Sequence, residues 1–130
     1  DHGLLSYNHT RVKLGLAPAQ SFADISSNPE VQARLRNAFN NIDHIDLWVG
    51  GLAEDHFGDA LVGEVFYTIL KDQFERLRDG DRFWYENNFW GNELRNINKT
   101  TLSSVIQRNT NVGKELQKNV FIVKNKKHKN

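Results

Sequence analysis

The segment from Leu61 to Asn87, LVGEVFYTILKDQFERLRDGDRFWYEN, constrains this chain most. Leu61, Val62, Val65, Phe66, Ile69, Leu70, Phe74 and Leu77 recur at helical spacing and predict one continuously apolar face. Glu64, Thr68, Lys71, Glu75 and Arg78 take the other face, with Asp72 one turn before Arg76. Gly80 is the expected stop, because a residue without a Cβ takes a left-handed cap cheaply. Arg76 and Arg78 suit the negative end of the helix dipole. The chain then turns through Asp79-Gly80-Asp81 into Phe83-Trp84-Tyr85. Each of these aromatics can remove ~150–250 Å² from water, so they read as core packing, with a binding platform as the alternative. The segment is expected to be the centre of a helical core.

The flanking sequence is also helical in pattern. A loop over Asp1 to Asn8 leads to a short helix from Asn8 or His9 to about Leu14, closed by Gly15. Pro18 holds Ala17 extended, and Ser21 caps a single turn with Phe22 and Ile25. Asn28 at an N-cap, Pro29 at the first helical position and Glu30 in the first turn start a helix that runs to about Phe39. Asn40-Asn41 breaks it. Ile42 to Glu54 alternates acidic and apolar residues, which suits a strand, but the helical context favours a short helical turn followed by a bend at Gly50-Gly51. Beyond the aromatic cluster, Leu94 and Ile97 mark one short helix, and Thr100 or Thr101 caps another through Leu102, Val105 and Ile106. Val120 to Val123 reads as a brief extended segment. The fold class expected is mainly α, with long loops and little or no sheet.

At 130 residues the chain suffices for one domain with a real core. Its 38% hydrophobic and 25% charged residues are those of a globular protein. Lys124, Lys126, Lys127 and Lys129 carry four positive charges in the last seven residues. With a formal net charge of +1, the remainder sums to about −3 and shows no basic face for nucleic acid. Residues 124–130 are read as a solvated tail and residues 1–123 as one structural portion. No run of ~18 apolar residues is present to span a membrane, and nothing at the start resembles a signal peptide. The absence of cysteine excludes disulfides and thiolate chemistry and leans toward a reducing compartment or toward a fold that needs no staples.

Candidate chemistry is sparse. His2, His9, His44, His56 and His128 show no paired metal-ligand spacing. No glycine elbow surrounds a serine or threonine, and no phosphate loop is present. Asn8-His9-Thr10 and Asn98-Lys99-Thr100 match the glycosylation sequon, which matters if the chain is secreted. From the residues alone, the reading is a helical domain without a self-contained active site.

The order of short motifs adds to this. DHGLLSYN with Arg11 and Gly15-Leu16 resembles the Arg-Asp-His-Gly segment of the animal haem peroxidase superfamily, which includes myeloperoxidase-like and cyclooxygenase-related proteins. Ile45, Asp46, Leu47, Gly50, Gly51 and Glu54 are similar to that family's IDLxxGGxxE element. Val62-Gly63, Gln73-Phe74 and the LRDGDRFWYEN block resemble the helix and motif that follow. Thr101-Leu102, Ile106, Asn109-Thr110 and Asn119-Val120-Phe121 fall in the family's order, so the resemblance spans nearly all of the chain to about Phe121.

Departures accompany it. The Arg that normally precedes Asp1 is absent, and Leu5 and Glu64 stand where the family often has Pro. Vertebrate members carry disulfides here, so the lack of Cys points toward a bacterial, fungal or oxygenase-type branch. The resemblance implies the C-terminal portion of a haem peroxidase domain, oxidation of substrates with hydrogen peroxide, and a part in the response to oxidative stress. It places the proximal histidine, the distal histidine and the catalytic arginine N-terminal to this chain, in a haem-bearing partner portion of the same domain. Neither catalytic nor metal-ligating residues are then expected here, and Asp1 and His2 are left a supporting role behind the iron's direct ligands. The rival readings are a fatty-acid dioxygenase of the same superfamily, with Tyr7, Tyr67 and Tyr85 unassigned to any radical role, and a stand-alone helical interaction module.

Overall fold

A computed structural model of the chain describes residues 3–113 and 115–122. The basic tail, Val123 and the pair Asp1 and His2 lie outside the described residues. The described part is helical, with a single isolated antiparallel bridge between Ser6 and Asp46 and no strand. No helix among the described residues is long and apolar enough to cross a membrane.

The chain divides into two compact units, Asp1–Gly80 and Asp81–Asn130. In the first, α1 spans Tyr7–Lys13, α2 Pro29–Ala38, α3 Leu47–Ala53 and α4 Glu64–Gly80, with 3-10 turns at Phe22–Asp24 and Ile42–His44. Gly15, with φ of 77°, follows α1 as its left-handed stop. Ser21 and Asp24 close a capping box around the first 3-10 turn. The Asn28 side chain accepts from Glu30 N at 2.9 Å and caps α2, with Pro29 at its first position. Asn41 and Asp46 do the same for the second 3-10 turn and for α3.

The core of this unit is Tyr7, Ala19, Ile25, Leu35, Ile45 and Val65, with Leu14, Phe22, Phe39, Leu47 and Phe66 packed against it. Tyr7 comes from α1, Leu35 from α2 and Val65 from α4, while Ala19, Ile25 and Ile45 come from the connections between elements. The elements are short, so burial of these few side chains, at roughly 1.5–3 kcal/mol each, holds them more than helix propensity does.

Several expectations are corrected. The helix begins at Glu64, and Leu61 lies ahead of it, 88% exposed. Only the N-terminal half of α4 packs on the core. Leu70, Phe74 and Leu77 are exposed, so the apolar stripe runs beyond the surface this unit can cover. Gly80 is the last helical residue and is not among the glycines with positive φ. Gly50 and Gly51 are not a bend; α3 runs through both. A Cβ on Gly50 would lie 2.4 Å from Tyr7 Cδ2, and one on Gly51 2.5 Å from Phe66 Cε1. The pair is there to let α1 and α4 approach.

In the second unit, α5 spans Tyr85–Asn88, α6 Gly91–Lys99 and α7 Leu102–Asn109. Thr101 and Ser104 form a capping box at the start of α7. The aromatic cluster is not buried as expected: Phe83 is 69% exposed with the Arg82 guanidinium 4.5 Å from its ring centroid. Trp84 and Tyr85 are half-buried and pack on each other at 4.8 Å. Val120 to Ile122 are turn and bend, not extended.

Candidate functional site

The densest polar chemistry among the described residues lies inside the first unit. Tyr7 and Arg11 are one helical turn apart on α1 and so share a face. That face meets Glu54, the residue that ends α3, and Glu64, the first of α4. The Tyr7 hydroxyl donates to Glu54 Oε1 at 2.6 Å, and Arg11 Nη1 donates to the same oxygen at 2.8 Å. Val65 N–H donates to Glu54 Oε2 at 2.9 Å, which places the carboxylate on the amide-rich start of α4. Arg11 Nη2 donates to Glu64 Oε2 at 2.6 Å, and Nε to the Ala17 carbonyl at 2.6 Å.

Glu54 is buried and Tyr7 fully so. Gly63 makes the approach possible, since a Cβ there would stand 2.2 Å from Glu54 Cβ. Burial and then the hydrogen bond to Glu54 push the Tyr7 hydroxyl pKa well above its ordinary value, so the phenol stays protonated. Burial works against the charge of Arg11, but the Glu64 hydrogen bond and the neighbouring Tyr7 and Glu54 outweigh it, and the guanidinium pKa rises. No buried side-chain nitrogen or oxygen among the described residues lacks a partner.

A second polar clamp lies beside it. Asn8 is buried, its Nδ2 donating to the Ala19 carbonyl at 3.0 Å and to Asp43 Oδ1 at 2.8 Å, and its Oδ1 accepting from Ala19 N at 2.9 Å. Asp55 Oδ2 accepts from Ser27 N at 2.7 Å, and Oδ1 from the Ser26 hydroxyl at 3.0 Å. A recess of about 120 Å³ opens over Arg11, Asp24, Ile25, Glu54, Asp55 and Glu64. In this cluster the base, the acid and the cation are all engaged with one another. It fastens four segments together and leaves no free general base or nucleophile.

The sequence-derived candidates separate from this site. Asp1, His2 and His128 lie outside the described residues. His9 is exposed with Nδ1 3.0 Å from Ser6 Oγ; His44, at the end of the second 3-10 turn, and His56, in the loop after α3, are exposed too. Among the described residues no group of three or more metal-ligating side chains converges. The three tyrosines also diverge: Tyr7 is bonded to Glu54, Tyr67 packs on Phe57 at 5.0 Å, and Tyr85 donates to Asn98 Oδ1 at 2.8 Å. Tyr7 as an anchor was not legible locally, because its partner lies 47 positions on. The one available signal was the helical spacing of Tyr7 and Arg11.

Residues 1–121 match the family model described as animal haem peroxidase. The chain is 49% identical over 126 residues to peroxinectin A of Dictyostelium discoideum, covering 93% of this chain and 23% of that protein. It is 40% identical over 127 residues to a peroxidasin homolog, pxn-2, of Caenorhabditis elegans, covering 94% of this chain and 10% of the relative. Among solved structures, peroxidase A of Dictyostelium discoideum superposes with a TM-score of 0.71 at 48% identity, over 82% of this chain and 21% of that one. The chain therefore spans less than a quarter of the length of these relatives.

Proposed function

Because the chain belongs to the animal haem peroxidase family, we infer that it is the C-terminal portion of the peroxidase domain of a haem-dependent enzyme that oxidises its substrates with hydrogen peroxide. In this reading the segment supports the haem pocket from behind, and the axial imidazole and distal acid–base groups belong to the rest of the domain. The described residues do not by themselves fit a haem. His9, His44 and His56 are exposed, and an axial ligand must be buried against the macrocycle with its second nitrogen held. No chemical step is assigned to this chain.

The observation that carries the reading is the buried cluster of Tyr7, Arg11, Glu54 and Glu64. Charges this thoroughly paired among themselves stabilise one geometry of a scaffold, and they are not poised for proton transfer. Its effect is to hold α1 against the end of α3 and the start of α4. Asp1 and His2 remain the residues of this chain assigned to support beside the haem. The dioxygenase alternative draws no support from Tyr7, Tyr67 or Tyr85, each of which is engaged elsewhere.

The test is a comparison of two samples. The full-length protein reconstituted with haem is expected to show a Soret band and peroxide-dependent oxidation of a phenolic reporter, whereas residues 1–130 alone take up no haem stoichiometrically. A histidine-ligated spectrum from residues 1–130 alone would overturn the assignment of the iron ligands to the rest of the domain. Oxygen uptake with a polyunsaturated fatty acid, in place of peroxide turnover, would favour the dioxygenase.

A further inference from the structure

The chain carries two glycosylation sequons, Asn8-His9-Thr10 and Asn98-Lys99-Thr100, and the fold treats them in opposite ways. N-glycosylation attaches a sugar to the side-chain amide nitrogen, so the question at each site is what Nδ2 is already doing.

At Asn8 both amide hydrogens are in use, one on the Ala19 carbonyl and one on Asp43, and the side chain is buried against α1, the Ala19 backbone and the second 3-10 turn. A sugar there would displace one of those bonds and would need space the core lacks. Bearing it would leave a buried acceptor unpaired, which the fold does not tolerate cheaply.

At Asn98 the functions are divided between two atoms. Oδ1 is the structural atom, accepting from the Tyr85 hydroxyl at 2.8 Å, while Nδ2 holds no partner among the described residues. Asn98 is exposed in the last turn of α6, whose partly buried side chains are Leu94 and Ile97. Helix gives way to extended backbone at Thr100, with φ of −72° and ψ of 126°. Replacing one Nδ2 hydrogen with a sugar leaves the Tyr85 hydrogen bond intact.

We propose that Asn98 is an N-glycan attachment site of this protein and that Asn8, in spite of its matching sequon, is not. The donor is a lipid-pyrophosphate-linked oligosaccharide. The Nδ2–C1 bond forms as the bond from C1 to the pyrophosphate oxygen breaks. The departing lipid pyrophosphate keeps that electron pair, the proton lost from Nδ2 passes to a base, and nothing is oxidised or reduced.

The experiment uses the full-length protein secreted from eukaryotic cells, digested with an amidase that converts glycosylated Asn to Asp in heavy-oxygen water, followed by peptide mass spectrometry. The heavy-oxygen Asp is expected at Asn98 and not at Asn8. Thr100→Ala and Asn98→Gln should each abolish the same single glycan-sized mass shift. Thr10→Val, which removes the first sequon while keeping the Asn8 side chain, should leave the glycan pattern and the secreted yield unchanged. Unmodified Asn98, from any cause, or a glycan on Asn8 would overturn the proposal.

Discussion

The Tyr7 hydroxyl donates a 2.6 Å hydrogen bond to Glu54 Oε1, joining the first turn of α1 to the residue that ends α3. The same carboxylate receives Arg11 and the Val65 amide. Three donors from two elements therefore converge on one buried anion, and the first unit is organised around it.

Glu54→Gln is expected to destabilise the full-length protein by about 3 kcal/mol, since it strips the charge from a buried pair while leaving Arg11 in place. Glu64→Gln should cost much less, about 1 kcal/mol or below, because the Glu64 side chain is 36% exposed and water screens its carboxylate. Urea unfolding of the two variants side by side checks the order; equal losses would mean that Glu54 is not the keystone.

The raised pKa of Tyr7 sets a pH dependence whose sign is definite. A phenol whose folded pKa lies above its unfolded value of about 10 contributes stability that is fully present below that value. Above about pH 10 the unfolded chain releases the proton and the folded one holds it, so stability falls as pH rises. Tyr7→Phe should be less stable at neutral pH by about 1.5 kcal/mol, yet show a shallower loss of stability on the alkaline side. Thermal melts between neutral pH and the alkaline range read both effects.

Gly50→Ala and Gly51→Ala separate packing from helix propensity. Alanine favours a helix interior over glycine by about 1 kcal/mol. At Gly50 the new methyl meets the ring and Cβ of fully buried Tyr7, which has no room to yield, so a net loss of about 2 kcal/mol is expected. At Gly51 it meets the far edge of the half-buried Phe66 ring, which can swing, so the loss should be smaller. Denaturation midpoints for the pair test this ranking.

Asn8→Asp replaces a buried donor with an acceptor facing the Ala19 carbonyl and the Asp43 carboxylate. A loss of about 3 kcal/mol is expected, from an unpaired acceptor and two like charges. Asp43→Asn should recover part of it by offering an amide donor to the new carboxylate. A double-mutant cycle measures the recovery, and additive losses would show that the two side chains are not coupled.

The local starts and stops of the helices were legible because their causes are local. Asn28, Pro29 and Glu30 announce α2, Gly15 ends α1, and Thr101 caps α7, each through atoms within three or four residues. The helical class and the family motifs were legible for the same reason, as short strings in order.

Local sequence thus carried the helical class, the caps of α1, α2 and α7, and the family. Which residues those helices would bury was decided by the tertiary structure. Gly50-Gly51 has the composition of a bend and became helix because Tyr7 and Phe66 needed the space. Phe74, Leu77 and Phe83 have the composition of core and stand exposed, since periodicity reports an apolar face and not the surface that meets it. Glu54, Arg11 and Tyr7 could each have been solvated polar residues. They form a buried site only because folding brings positions 43 and 47 residues apart within hydrogen-bonding distance, and pairing at that range leaves no trace in local sequence.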